Sequence, residues 1–121
     1  MPRFVLLEHR WDGVHWDLML ESGETLRTWA IDAPIVPGVE LSARALPDHR
    51  VIYLDYEGPI SGDRGTVRRV DSGSFASLDW RDDLIRVRLE GRQLVGIAEL
   101  RPIGIDPAGG SRWSLRVGNV D

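Results

Sequence analysis

Turn signals punctuate this chain about every eight to twelve residues, and no long stretch carries the 3.6-residue apolar period of a helix. Ser22-Gly23-Glu24, the two-proline segment from Asp32 to Gly38, Pro47-Asp48, the glycine-rich Gly58 to Gly65, Asp71-Ser72-Gly73 and Glu90-Gly91-Arg92 divide it into short pieces. Such pieces bury their apolar side chains by pairing with neighbours across tight turns. The expected architecture is therefore all-β: a compact antiparallel β-barrel or sandwich with at most one or two short helices.

The pieces themselves are readable. Phe4 to Glu8 suits a buried strand, Val14 to Glu21 an amphipathic one, and Thr25 to Ile31 its hairpin partner. Glu40 to Leu46 is ambiguous between a strand and a helical turn. Val51 to Glu57, Gly65 to Val70, Leu84 to Leu89, Leu94 to Leu100 and Trp113 to Val117 read as strands, and Ser77 to Asp83 is the one region suited to a short helix. The 121 residues show no linker, repeat or low-complexity tract, so residues 1–121 are expected to form a single domain.

Composition narrows the chemistry. There is no cysteine, which excludes disulfides, thiolate metal sites and cysteine nucleophiles, and leaves any metal to histidine and carboxylate. No apolar run approaches the roughly 20 residues of a membrane span, and Met1-Pro2-Arg3 leads straight into a strand-like segment, so a soluble, cytoplasmic protein without membrane contact is expected. A net charge of −4 argues against broad, sequence-independent coating of nucleic acid, although a local basic groove is compatible with it. Every basic side chain is arginine, suited to bidentate phosphate contacts, yet genome composition explains the same bias.

In the segment from Val14 to Leu20, Val14, Trp16, Leu18 and Leu20 share one face and His15, Asp17 and Met19 the other. His15 and Asp17 stand two residues apart, about 6.5–7 Å between Cα atoms, with side chains on the same side. That spacing suits two ligands of one metal ion. His9, across the Trp11-Asp12-Gly13 turn signal, is placed to fold back beside them. A two-histidine, one-carboxylate set favours manganese, iron, zinc or cobalt over magnesium or calcium. Three polar residues on a solvent-facing strand would give the same pattern.

The pattern Glu8-His9, His15-Trp16-Asp17 and Leu20, then Leu26-Arg27-Thr28-Trp29-Ala30, then Asp48-His49, Tyr53 and Asp55-Tyr56-Glu57-Gly58 resembles the 3′-phosphoesterase domain of bacterial DNA ligase D and its stand-alone relatives. Val70-Asp71-Ser72-Gly73, the stretch from Leu89 to Gly96, and Arg112-Trp113-Ser114-Leu115 continue it more weakly. All three histidines of the chain fall on positions of that pattern.

The resemblance implies a closed antiparallel barrel whose concave face holds a divalent metal, preferably Mn²⁺, with Zn²⁺ or Co²⁺ as other candidates. It makes His9, His15 and Asp17 the metal ligands, places His49 and Tyr53 around a reacting phosphate, and sets Arg27 where the family has lysine. Implied substrates are DNA or RNA–DNA 3′ ends in repair, from which a 3′-ribonucleoside or 3′-phosphate is removed. A separate DNA ligase or polymerase is a possible partner. The chain departs from the pattern at Met19 and Leu41, where relatives carry arginine, and at Pro47, where they carry glutamate. These departures leave open an alternative: a catalytically weakened relative that binds metal and nucleic-acid ends for such a partner.

Overall fold

A computed structural model describes residues 1–118. The hairpin signalled by Ser22-Gly23-Glu24 joins β2 (Val14–Ser22) to β3 (Thr25–Ile31), with Gly23 at the positive φ of 61° that the turn requires. β1 (Arg3–Arg10) lies on the other side of β2, and β4 (Leu41–Arg50) on the other side of β3. The remaining strands are β5 (Gly58–Pro59), β6 (Thr66–Arg81), β7 (Leu84–Gly91), β8 (Val95–Ile105) and β9 (Ser111–Gly118). Pairing runs β1-β2-β3-β4-β9-β8-β7-β6, and β6 returns to β1, closing eight antiparallel strands into a barrel that leaves those strands no free edge. No helix among the described residues is long and apolar enough to cross a membrane.

Local sequence readings are corrected in three places. The ambiguous stretch from Glu40 to Leu46 belongs to β4, held between β3 and β9. Val51 to Leu54 is a single 3₁₀ turn in place of the expected strand, because it leaves the sheet and drops Leu54 onto the outside of the barrel. β6 runs unbroken through Asp71-Ser72-Gly73 and on to Arg81, taking up most of the region expected to hold a short helix, whose last two residues, Asp82 and Asp83, form the turn to β7.

The reason β6 ignores its turn signal is that those residues do other work. Leu6 faces Asp71 while Leu7 faces Arg69, so Val70 is an extra residue that bends the strand. Gly73 is paired with Phe4 of β1 and with Gly91 of β7, the point at which β6 passes from one neighbour to the next. A Cβ on Gly73 would overlap the Glu90 carbonyl, so glycine is required by close approach. The buried Asp71 carboxylate accepts backbone N–H bonds from Ser72 and Arg92 at 2.9 Å, Gln93 at 3.1 Å and Leu94 at 2.7 Å. One side chain thereby satisfies the orphan donors of the β7–β8 turn.

The main core fills the barrel, with Phe4, Leu18, Trp29, Phe75, Leu100 and Trp113 among its buried members. A second, smaller core lies on the opposite face of β1, β2, β3 and β6: Val5, Leu7, Met19, Leu26 and Val67, covered by Leu54 with Tyr53, Tyr56 and Ile60. β1 is therefore buried on both faces from Phe4 to Glu8, which explains its unbroken apolar run.

Asp71→Ala is expected to lower unfolding stability by about 2–4 kcal/mol, since four backbone donors lose a charged acceptor at once. Chemical denaturation measures the loss; Asp71→Asn, which keeps acceptance at one oxygen, should fall between wild type and alanine.

Candidate functional site

The outer face of β1 and β2 changes character along its length. At one end it is apolar and covered by the segment after β4; at the other it carries His9, His15 and Asp17. Register brings these together, because His9 pairs with His15 across β1 and β2 and Asp17 follows on the same face. One ligand atom from each of the three lies within 4.8 Å of the others. The two imidazoles meet edge to face with centroids 4.8 Å apart.

Polar contacts fix how the donors are presented. His9 Nε2 donates to the Arg64 carbonyl at 2.7 Å, so the neutral ring keeps its lone pair on Nδ1, which stands 3.6 Å from Asp17 Oδ2. The Arg64 carbonyl is held in place by the loop between β5 and β6. Ile60 N–H bonds to the Gly65 carbonyl at 2.8 Å, and Gly65, at φ 78°, lies so close to Arg10 and Trp11 that any Cβ would overlap them.

Asp17 is only 3 % exposed. His15 Nε2 approaches its Oδ1 to 3.0 Å, close enough for charge attraction but out of hydrogen-bond alignment, and Oδ1 receives no hydrogen bond. A buried carboxylate oxygen without a donor is costly, and a cation seated among the three residues would satisfy it. Two nitrogen donors and a carboxylate fit a first-row divalent metal.

These residues line a groove of about 640 Å³, within the range of small-molecule sites. His49, Tyr53, Met19, Pro47, Arg44 and Arg64 line it too, and Trp11 stands half exposed on its rim. His49 Nδ1 donates to the Pro47 carbonyl at 2.8 Å, leaving Nε2 available, and its ring meets Tyr53 edge to face at 5.9 Å. The Asp17 carboxylate raises the pKa of His15 above its ordinary value; burial and the charge of Arg44 act against this, and Asp32 adds to it.

Arg27 is not brought to the groove. It shares a face of β3 with Trp29 and Ile31, and its guanidinium lies 5.1 Å from the Trp29 ring, 5.5 Å from Trp113 and 5.8 Å from Trp80. The expected phosphate contact is thus replaced by cation–π packing among three indoles. Leu41 turns toward the main core, and Met19, 1 % exposed, is part of the second core. Of Arg44, Arg50 and Arg64, the arginines that could take the place of the missing cation, Arg44 reaches the groove from β4 and Arg64 from the β5–β6 loop, while Arg50 does not line it. The signal for Arg44 was parity, since it alternates with the inward-facing Ala43 and Ala45.

Fold and site together define a β-barrel protein with a metal-competent groove on its outer wall. The sequence profile of the DNA ligase D 3′-phosphoesterase domain matches residues 7–101, and the chain belongs to that family. Comparison with curated proteins gives no match.

With its folded-state pKa raised above the ordinary 6.5, His15 contributes stability that is fully present below its unfolded pKa and is lost as pH rises through the folded value. NMR titration of the metal-free protein should place the His15 midpoint above 6.5, and Asp17→Asn should lower it. A midpoint unmoved in Asp17→Asn would mean that another group holds the proton.

Proposed function

We propose that the protein is a Mn²⁺-dependent phosphoesterase that processes 3′ ends of DNA or RNA–DNA strands in repair, removing a terminal 3′-ribonucleoside to leave a 3′-phosphate, or removing a 3′-phosphate to leave a 3′-hydroxyl. The observation that carries this reading is the convergence of His9, His15, Asp17, His49 and Tyr53 on one groove in a chain of this family. His9 Nδ1, His15 and Asp17 would hold the metal; Zn²⁺ or Co²⁺ suits the same donors. When bound, the cation supplies charge stabilisation to a phosphoryl group.

The chain's own residues do the rest. Arg64, through its backbone, holds His9 in the tautomer that leaves Nδ1 free. His49, fixed through Nδ1 by the Pro47 carbonyl, presents Nε2 to the groove, where the imidazolium form can pair with a phosphate oxygen or give its proton to the departing 3′ oxygen. In hydrolysis of a 3′-phosphate, a water oxygen bonds to phosphorus as the bond from phosphorus to O3′ breaks. The tyrosine hydroxyl of Tyr53 can donate to a phosphate oxygen. Trp11 offers a face on which the terminal base can stack, worth about 1–3 kcal/mol in single-strand binders.

A second reading has its own observation. Met19 places a thioether in the apolar floor where relatives present arginine, and a lost oxyanion contact of that kind costs about 10²–10³ in rate. On that reading the groove binds metal and 3′ ends for a separate ligase or polymerase and turns over slowly.

The two readings part in a single assay. A labelled primer–template ending in a 3′-ribonucleotide or a 3′-phosphate should be trimmed with Mn²⁺ and left intact with EDTA. Asp17→Ala should lose both Mn²⁺ binding and trimming while keeping the fold, and His49→Ala should bind Mn²⁺ normally while its turnover falls about 10²-fold or more. Mn²⁺ binding without turnover in wild type would favour the end-binding module. Unchanged Mn²⁺ affinity in Asp17→Ala would remove the metal site itself.

A further inference from the structure

The register of the barrel sets one row of residues across its outer wall. Leu7 pairs with Asp17, Asp17 with Ala30, Ala30 with Arg44, Arg44 with Arg112, and Arg112 with Gly104. Residues directly opposite on neighbouring antiparallel strands project to the same side, with Cβ atoms about 4.5–5.5 Å apart. Arg44 and Arg112 therefore stand side by side, two and three places along the row from the buried Asp17.

Like charges in that position repel, and little in the protein answers them. Arg44 has Asp32 at 4.0 Å, and both of those side chains are about half exposed or more. Arg112 is exposed and makes no ion pair with any described residue. Small residues flank the pair: Ala30 toward the metal-competent cluster, and Gly104, with open space where a Cβ would be, on the far side. Arg44 lines the groove, and Arg112 stands next to it on the neighbouring strand.

Three other arginines near the groove are engaged. The Arg64 Nε donates to the Ser61 carbonyl at 2.7 Å, which turns its guanidinium back on its own loop. Arg10 and Arg68 are both bonded to Glu8, at 2.8 and 3.0 Å. β2 contributes no arginine to the groove, since Met19 is the next residue beyond Asp17 on that face.

We propose that Arg44 and Arg112 form a phosphate-binding site beside the His9, His15 and Asp17 cluster, which takes a phosphate of a nucleic-acid strand whose 3′ end lies at that cluster. The site rests on the reading of the groove as a seat for nucleic-acid 3′ ends. Two guanidinium planes can share one phosphate through paired N–H donors, and the anion removes their mutual repulsion. The cationic contact missing from β2 is thereby supplied from β4 and β9.

The test is equilibrium binding of a 5′-labelled single-stranded oligodeoxynucleotide, followed by fluorescence anisotropy in EDTA across a salt series. One probe ends in a 3′-phosphate and the other in a 3′-hydroxyl. Arg44→Gln and Arg112→Gln should each weaken binding about three- to tenfold, and removing both should lower the slope of log K against log salt by about 0.7, the value of one phosphate contact on a single strand. Arg81→Gln, in the β6–β7 hairpin, serves as the control and should match wild type. Weakening confined to the 3′-phosphate probe identifies the terminal monoester as the bound group; equal weakening of both probes identifies an internal phosphodiester.

Wild-type affinity and slope in both variants would overturn the site, and so would a wild-type protein that binds neither probe. A slope that depends on Arg44 and Arg112, in a protein that never turns over with Mn²⁺, keeps the site and sinks the phosphoesterase reading. Mn²⁺-dependent turnover with KM unchanged in both variants overturns the site alone.

Discussion

β1 and β2 are buried on both faces, and the functional groove is the part of their outer face left uncovered. Leu18 and Leu20 point into the barrel while Met19 points out into a second apolar cluster beneath Leu54. The segment after β4 sits on the apolar end because Val5, Leu7, Met19 and Leu26 would otherwise be exposed there, and a fully buried side chain of this size contributes about 1.5–3 kcal/mol. Its position fixes everything downstream: His49 and Tyr53 overhang the groove, and the loop that follows delivers the Arg64 carbonyl to His9. The geometry of the groove and the covering of a hydrophobic face are one construction.

That construction also bears on the departures from the family pattern. Met19 deepens the apolar floor and helps to hold the covering segment, so its thioether is structurally integrated. Pro47 has no N–H to give and cannot act as glutamate does, yet its carbonyl orients His49. β4 presents Arg44 to the groove two strands away from Asp17, with Ala30 between them in register.

Much of this was legible in the sequence wherever alternation alone decides. The split of Val14 to Leu20 into two faces located both the main core and the His15 and Asp17 pair, and the turn at Trp11 to Gly13 brought His9 alongside. The same parity sets Arg27 on one face with Trp29, where the structure has it, away from the phosphate contact that the family position implies. The misread elements are those whose local signals served long-range needs. Gly73 and Asp71 look like a turn because both residue types favour turns, but here one permits a close strand approach and the other caps a distant hairpin. The row from Asp17 to Arg112 was invisible, since it depends on the pairing of β4 with β9 across more than 60 residues of chain.

The five tryptophans fall into three environments. Trp29, Trp80 and Trp113 gather around Arg27 at one part of the barrel, Trp16 packs against the main core, and Trp11 alone stands at the groove, half exposed and stacked on His9 at 6.2 Å. Intrinsic fluorescence consequently carries two separable signals. Occupancy of the groove perturbs the half-exposed indole of Trp11, whereas loss of the barrel exposes the buried Trp29 and Trp113 together, so the molecule contains its own optical distinction between being bound and being unfolded.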